Sequence, residues 1–286
     1  MIIAKITSGL GNQLFQYALA KQLSILNKTE LYLDLRFYKS DYSRETNRTF
    51  KLDNFNIILK PINKPIEYIS KATKLFPNRS FKPFFQLVKE PHYHFDKEVL
   101  NVKSDWITTE GYWHSEKYFI DIENIIRDEL KFKNDPTKCF EQFRNKIIDS
   151  NNPISIHIRR GDYVNHPIFS NTFGFLGLDY YNTAIEILKT KTIDFQFFIF
   201  TDDVDWVRDN LKLTHEHTFV INTSEIDDLH LMSLCKHHII ANSSFSWWGA
   251  WLNSNSEKIV IGPQKWFNNQ PDWNTKDLLP NKWIRV

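Results

Sequence analysis

Apolar positions along this chain change their spacing in a repeating way. Ile2 to Ile6 is a nearly continuous apolar run, broken only by Lys5. Leu14, Phe15, Ala18, Leu19, Leu23 and Leu26 then fall on one face at helical spacing, and Leu31-Tyr32-Leu33-Asp34-Leu35 returns to a strand-like run. That order predicts strand, loop, helix and strand, the unit of a parallel sheet. Residues 40–110 break the pattern. Five prolines between Pro61 and Pro91, among many Asn and Lys, predict irregular chain and short helices there, with helices over 116–130 and 137–149. After Asn151-Asn152-Pro153 the alternation resumes. Strands are predicted at Ile154–Ile158, Phe195–Phe200, His217–Ile221, His237–Ala241 and Lys258–Ile261, with helices at Asp227–Lys236 and Ser244–Leu252. Phe195–Phe200 is apolar almost throughout, as strands covered on both faces are. Two Rossmann-like halves follow, divided near residue 150.

Composition narrows the class. Hydrophobic residues at 42% and charged residues at 24% exclude a disordered or fibrous chain. Lys plus Arg is 36 and Asp plus Glu is 34, a formal charge of +2, too balanced for a protein that lives on nucleic acid phosphates. No run of 18 apolar residues predicts a membrane span, and Met1–Ile6 reads as a first strand rather than a signal peptide. Cys139 and Cys235, far apart in sequence, predict reduced, buried thiols in a cytoplasmic protein. Glycine is scarce, eight in 286 residues. Gly9, Gly11, Gly161, Gly249 and Gly262 sit where strand-like runs end or helix-like runs begin, the usual place of ligand loops in α/β proteins.

Four segments carry candidate chemistry. His157-Ile158-Arg159-Arg160-Gly161-Asp162-Tyr163 leaves the end of a predicted strand, where α/β sheets bind ligands. Paired guanidinium groups clamp phosphate oxygens bidentately, and Asp162 is placed to orient one of them; the competing reading is a surface ion-pair cluster. Asp202 and Asp203 end the next strand and offer acceptors to ribose hydroxyls or a base edge, or simply cap the helix that contains Trp206. Ala241 to Trp251 joins a strand to a helix whose bare N–H groups suit an anion, with Ser243, Ser244 and Ser246 as added donors around Phe245. Plain N-capping competes there, and Trp247, Trp248 and Trp251 read as packing residues. Ser8-Gly9-Leu10-Gly11-Asn12-Gln13 opens like a dinucleotide fingerprint, with Asp34 23 residues after Gly11, but Leu14 stands where the third glycine belongs. Asn12 and Gln13 offer amides to a sugar instead. The histidine pairs (His92 and His94, His215 and His217, His237 and His238) lack the companions of a metal site.

Taken together, these segments resemble the bacterial α-1,2-fucosyltransferases of glycosyltransferase family 11, which also includes the galactoside 2-α-L-fucosyltransferases of vertebrates. The matching stretches are Ile6–Ala18, His157–Tyr163, Phe200–Asp203, Asp228–Trp251 and Gly262–Phe267. The resemblance implies an α/β, GT-B-type fold with two Rossmann-like domains facing across a cleft, an acceptor-side domain over 1–150 and a GDP-fucose-binding domain over 151–286. It implies inverting transfer of L-fucose from GDP-β-L-fucose to the 2-hydroxyl of a terminal galactose in a cell-surface glycan such as O-antigen, without metal or other cofactor. Arg159 would hold the β-phosphate, Arg160 and Asp162 its geometry, Ser243 to Ser246 the remaining phosphate oxygens, and Asp202 and Asp203 the guanosine. Gly11, Asn12 and Gln13 would lie near fucose and acceptor. His157 and Asp162 are candidate bases by position alone. Trp113 and His114 are further candidate acceptor contacts, with core packing an equal alternative for Trp113. A lipid-linked acceptor would bring the chain to the inner face of the cytoplasmic membrane. Lys71, Lys74, Arg79, Phe81, Lys82, Phe84 and Phe85 would then meet the bilayer, or else form a solvated basic loop. Rival readings are a fucosyltransferase of another linkage, a nicotinamide-dependent oxidoreductase and a non-catalytic sugar-binding module.

Overall fold

The computed structural model describes residues 1–40, 48–72, 80–81, 84–133, 137–270 and 272–286. They form two compact units, Met1–Lys133 with Asn274–Leu278, and Asn134–Trp273 with Leu279–Val286.

The first unit is built on a five-stranded sheet in the order β2-β1-β5-β4-β3: β1 Ile2–Lys5, β2 Leu31–Asp34, β3 Ser80–Phe81, β4 Phe85–Lys89 and β5 Trp106–Glu110. All pairs are parallel except β3 with β4 at the edge. The helix Leu10–Leu26 follows β1 as expected, and is buried around most of its circumference, which its Leu, Ala and Phe content permits. Strands β4 and β5 run through a region that sequence reading treated as irregular. In β5 only Ile107 and Thr109 face inward, and Thr109 carries no apolar signal. The helix expected over 116–130 is two 3-10 turns, Glu116–Tyr118 and Ile120–Ile122, before an α-helix at Glu123–Glu129.

The second unit holds a six-stranded, fully parallel sheet in the order β11-β10-β9-β6-β7-β8. Its strands are β6 Pro153–Ile158, β7 Gln196–Thr201, β8 His217–Phe219, β9 His237–Ile239, β10 Val260–Gly262 and β11 Ile284–Arg285. Alternate residues of β7 serve opposite faces. Phe197 and Ile199 pack with Tyr181 and Leu188 of the helix Leu178–Lys189. Phe198 and Phe200 pack with Phe140, Phe143 and Ile147 of the helix Lys138–Asp149. That helix therefore belongs to the second unit, and the chain changes unit between Lys133 and Asn134, ahead of residue 150. Trp247 and Trp248 are fully buried, as expected of packing residues. Neither cysteine forms a disulfide; Cys235 is buried, whereas Cys139 is only half-buried. The two-residue strand β11 had no sequence signal.

The helix over 227–236 begins earlier than expected, as Glu225–Leu234, because Ser224 caps it and Asp227 closes a capping box from its third position. Asp228 in the same turn is pushed up to about 6, chiefly by burial, although a hydrogen bond from Thr223 opposes the shift. A raised carboxyl pKa means that folding favours the protonated form. Its contribution is complete below the ordinary carboxylate range and is lost as pH rises through about 6. Unfolding free energy is expected to fall by about 2 kcal/mol between pH 4 and pH 6 on this account. Urea titrations across that range should show the slope, and Asp228→Asn should flatten it.

Candidate active site

Arg159 and Arg160 emerge at the carboxyl end of β6, beside the end of β7 that supplies Asp202 and Asp203. The register pairs Ile158 with Thr201, so the two basic and two acidic residues leave neighbouring strands together. Arg159 forms two ion pairs, Nη2 to Asp162 Oδ1 at 2.8 Å and Nη1 to Asp202 Oδ2 at 2.9 Å. Its guanidinium lies 5.7 Å from the Tyr163 ring centroid. Asp202 also accepts the backbone N–H of Arg160 at 2.8 Å. Gly161 leaves the space this requires: a Cβ there would stand 2.6 Å from Asp202 Oδ2. Arg160 is held differently. Its Nε donates to Asp203 at 2.9 Å, and its guanidinium lies 3.6 Å from the Trp206 ring centroid and 5.2 Å from that of Phe175. Asp203 caps the helix Val204–Asn210 as well. The two arginines are thus distinct: one gripped by two carboxylates, the other held by one carboxylate and lying over the Trp206 ring with Phe175 beside it. Asp202 and Asp203, expected to face guanosine, are engaged with these arginines.

His157, one residue inside β6, is buried, and its pKa is pushed down to about 3 by burial first and by Arg159 second, with Asp202 opposing. It stays neutral at ordinary pH and is a weak proton acceptor, which argues against its expected role as base. Its ring lies 5.7 Å from that of Phe245, in the first turn of the helix Ser244–Leu252. The hydroxyls at that helix start are partly spent. Ser243 accepts from the Phe245 N–H, and the buried Ser246 donates to the Ser243 carbonyl. The hydroxyls of Ser243 and Ser246 are therefore engaged within the turn, so a role in holding an anion here falls to backbone N–H groups rather than to these two side chains. Asn242 had no assigned role. It is 1% exposed and donates to the carbonyls of Phe173, Gly174 and Trp266, tying together the loops beside the site.

In the first unit, β1 and β5 are adjacent and parallel, so the loops at their carboxyl ends lie side by side. Ser8 and Trp113, one in each loop, both have left-handed backbone, φ 65° and 64°. Glu90 braces the second loop by accepting from the N–H groups of Tyr112 and Trp113 at 2.7 and 2.8 Å. Gly111 is required here, since a Cβ would meet Glu90 Cβ at 2.4 Å. Trp113 is 1% exposed and is a core residue, not a sugar platform. His114 Nε2 lies 2.9 Å from Asn12 Oδ1 and so joins the two loops. Gln13, expected to offer its amide to a sugar, is wholly buried, and that amide is spent inside the fold. It donates to the carbonyls of Ser8 and Thr49 and accepts from the Lys51 N–H. Truncating it strips the Thr49 carbonyl and the Lys51 N–H of this partner, while the Ser8 carbonyl keeps the Tyr38 hydroxyl, so Gln13→Ala is expected to cost about 2 kcal/mol in urea unfolding. Gly11 is buried in the first helical turn and acts as backbone only.

Comparison with known proteins decides the family. Residues 1–286 match Glycosyl transferase family 11. The chain belongs to this family. Among curated proteins, an Escherichia coli alpha-1,2-colitosyltransferase is 32% identical, over 100% of this chain and 99% of that one. The Escherichia coli O-antigen biosynthesis glycosyltransferase WbnK is 33% identical over 98% and 99%. A Caenorhabditis elegans galactoside 2-alpha-L-fucosyltransferase is 26% identical over 97% and 77%. Among solved structures, NodZ alpha-1,6-fucosyltransferase soaked with GDP-fucose superposes with a TM-score of 0.53 at 15% identity, covering 88% of this chain and 91% of NodZ. An Arabidopsis thaliana FUT1 variant in complex with GDP gives 0.57 at 12% identity, covering 98% and 74%. These likenesses show the fold: two Rossmann-like units of the GT-B type.

As a family 11 glycosyltransferase, the chain is not the nicotinamide oxidoreductase that Gly9, Gly11 and Asp34 suggested. Asp34 is 3% exposed and paired with Arg36, whose Nε donates to it at 2.8 Å, so it is not presented to a ribose. Gly249 and Gly262 serve packing, since a Cβ at either would press on Met232 or Leu279 at 2.8 Å. Sequence reading missed Trp206 and Phe175 as the seat of Arg160, and Glu90 as the brace of the 111–114 loop. None of them belongs to a motif, and each is found only through contacts distant in sequence. Of the basic and aromatic residues suggested for membrane contact, Lys74, Arg79 and Lys82 lie outside the described residues. Phe84 is 56% exposed. No helix among the described residues is long and apolar enough to cross a membrane.

Proposed function

We propose that this family 11 enzyme moves L-fucose from GDP-β-L-fucose to the 2-hydroxyl of a terminal galactose, with inversion at the fucose C1. The observation that carries the reading is Arg159, a permanent cation held at a strand end by Asp162 and Asp202. In the displacement the galactose oxygen bonds to fucose C1 as the bond from C1 to the β-phosphate oxygen breaks. The electron pair leaves with GDP, where Arg159 meets the growing charge, and the 2-hydroxyl proton passes to a base or to solvent. The backbone N–H groups at the start of the Ser244–Leu252 helix take further phosphate oxygens. Asn12, at the start of the Leu10–Leu26 helix, serves the sugars. The relatives support the linkage, since an alpha-1,2-colitosyltransferase and a galactoside 2-alpha-L-fucosyltransferase are among them. Incubation with GDP-fucose and a panel of β-galactosides, with linkage read by NMR, tests the reading. A product fucosylated elsewhere than O2 would overturn it. The colitosyltransferase similarity favours one second reading, transfer of colitose, and the corresponding colitose donor belongs in the same assay.

Two accompanying expectations concern metal and membrane. With positive charge supplied by Arg159 and by helix N–H groups, transfer should proceed unchanged in excess EDTA; loss on chelation and recovery with Mg²⁺ or Mn²⁺ would reassign Asp202 and Asp203 as ligands. Among the described residues no cluster of three His, Cys, Asp or Glu is placed to hold an ion. If the acceptor is a lipid-linked O-antigen precursor, the enzyme should sediment with anionic vesicles and not with neutral ones. Equal binding to both would leave the basic residues of 60–89 without a membrane role.

A further inference from the structure

We propose that Tyr163 is a positioning residue: it ties the Arg159 clamp to the start of the Ser244–Leu252 helix, and so sets the spacing of those two elements to suit a diphosphate. The inference deepens the reading above and rests on it, namely that Arg159 and the N–H groups of that helix start hold the two phosphates of one donor. Both elements lie in the second unit. Arg159 follows β6 and the helix start follows β9, and these two strands are adjacent and parallel. Tyr163 lies in the short helix Gly161–Asn165, which opens directly after the arginines, and it touches both elements. Its ring centroid is 5.7 Å from the guanidinium carbon of Arg159, within the reach of a cation–π contact. Its hydroxyl meets the Asn242 carbonyl at 3.2 Å, across 79 residues of sequence. A carbonyl oxygen only accepts, so the phenol is the donor. Asn242 directly precedes Ser243, the cap of the Ser244–Leu252 helix.

The contacts that hold Tyr163 close on one another. Its ring stacks on Phe173 at 5.0 Å with planes 9° apart. The Asn242 side chain donates to the carbonyl of that same Phe173 at 3.0 Å, while the Asn242 carbonyl takes the Tyr163 hydroxyl. Phe173 is anchored in turn: its N–H donates to the Phe169 carbonyl at 2.8 Å, and its ring tilts against Phe267 at 5.5 Å. A shift of the helix start relative to Arg159 must therefore break the hydroxyl contact or slide the stacked rings. Stacking alone does not call for the hydroxyl, since a phenylalanine would make the same ring contacts. What the hydroxyl adds is a link between two strand ends. A monophosphate can settle on one of the two elements by itself. A diphosphate must engage both at once, so its affinity depends on how well their spacing is fixed beforehand.

The test is calorimetric binding of GDP and of GMP to the wild-type protein and to Tyr163→Phe, which keeps the ring contacts and loses the hydroxyl. GDP affinity is expected to fall about fivefold in the variant, the scale of one hydrogen bond, while GMP affinity stays at the wild-type value. A loss shared equally by GDP and GMP would mark general damage to the fold and overturn the proposal, and so would unchanged GDP affinity. Tyr163→Leu also takes the ring from beside Arg159, and is expected to weaken GDP binding by a further factor of about five. A loss in Tyr163→Leu no larger than in Tyr163→Phe would overturn the role given to the ring. Failure of the diphosphate reading itself shows differently, as a wild-type protein that binds GMP as tightly as GDP.

Discussion

Replacing Arg159 with Lys is expected to reduce transfer by at least a factor of about 100, with the protein still folded. Lys keeps the charge and loses the planar fork. In the structure that fork spends Nη2 on Asp162 and Nη1 on Asp202, one nitrogen to each carboxylate. A single ammonium cannot hold both partners in those directions and still present N–H groups to a phosphate. Removal of one well-placed transition-state donor costs about 10²–10³ in kcat, which sets the scale. The loss should appear in kcat more than in the KM of the acceptor, because the charge on departing GDP grows only as the bond breaks. Arg160→Lys should behave differently. Arg160 lies over Trp206 beside Phe175 and is tied to Asp203, so its variant should lose stability and positioning together. Near-normal turnover in Arg159→Lys would remove the clamp from the mechanism.

The second unit was legible in the sequence because its parallel strands are buried on both faces. Gln196–Thr201 is apolar at every interior position, Pro153–Ile158 alternates Ile with Ser155 and His157, and charged residues follow both. The first unit was legible only at β1, β2 and the helix between them. Its β4 and β5 pair at long range with a half-apolar pattern, and no local signal distinguishes them from the proline-rich chain around them. The site divides in the same way. Motif residues were found where they stand, but the work of each was hidden. Gln13 looks like a free amide in sequence and proves to be a buried tie between two loops. Asp202 looks like a nucleoside ligand and proves to hold Arg159 and the Arg160 N–H. A side chain's availability depends on which carbonyls and cations the fold brings to it, and spacing along the chain does not encode that.

Gly161→Ala is expected to lower transfer tenfold or more while leaving the unfolding midpoint nearly unchanged. The added methyl would lie 2.6 Å from Asp202 Oδ2 and 3.1 Å from its Cγ. An aspartate can usually swing aside at small cost, but this one is fixed at both oxygens. Oδ1 accepts the Arg160 N–H at 2.8 Å, and Oδ2 pairs with Arg159 at 2.9 Å. Relief of the clash therefore breaks at least one of them and releases half of the grip on Arg159. Stability has a compensating term, since Gly161 opens the short helix Gly161–Asn165 and alanine is the better helix former by up to about 1 kcal/mol. Activity has none. The route through Asp202 can be checked directly: Asp202→Ala should lower transfer by a similar factor, and adding Gly161→Ala to it should do little more, because the carboxylate that the methyl displaces is already gone. Full activity in the single glycine variant would mean that Asp202 is dispensable to the hold on Arg159. A double variant far slower than either single one would mean that the glycine serves something other than that carboxylate.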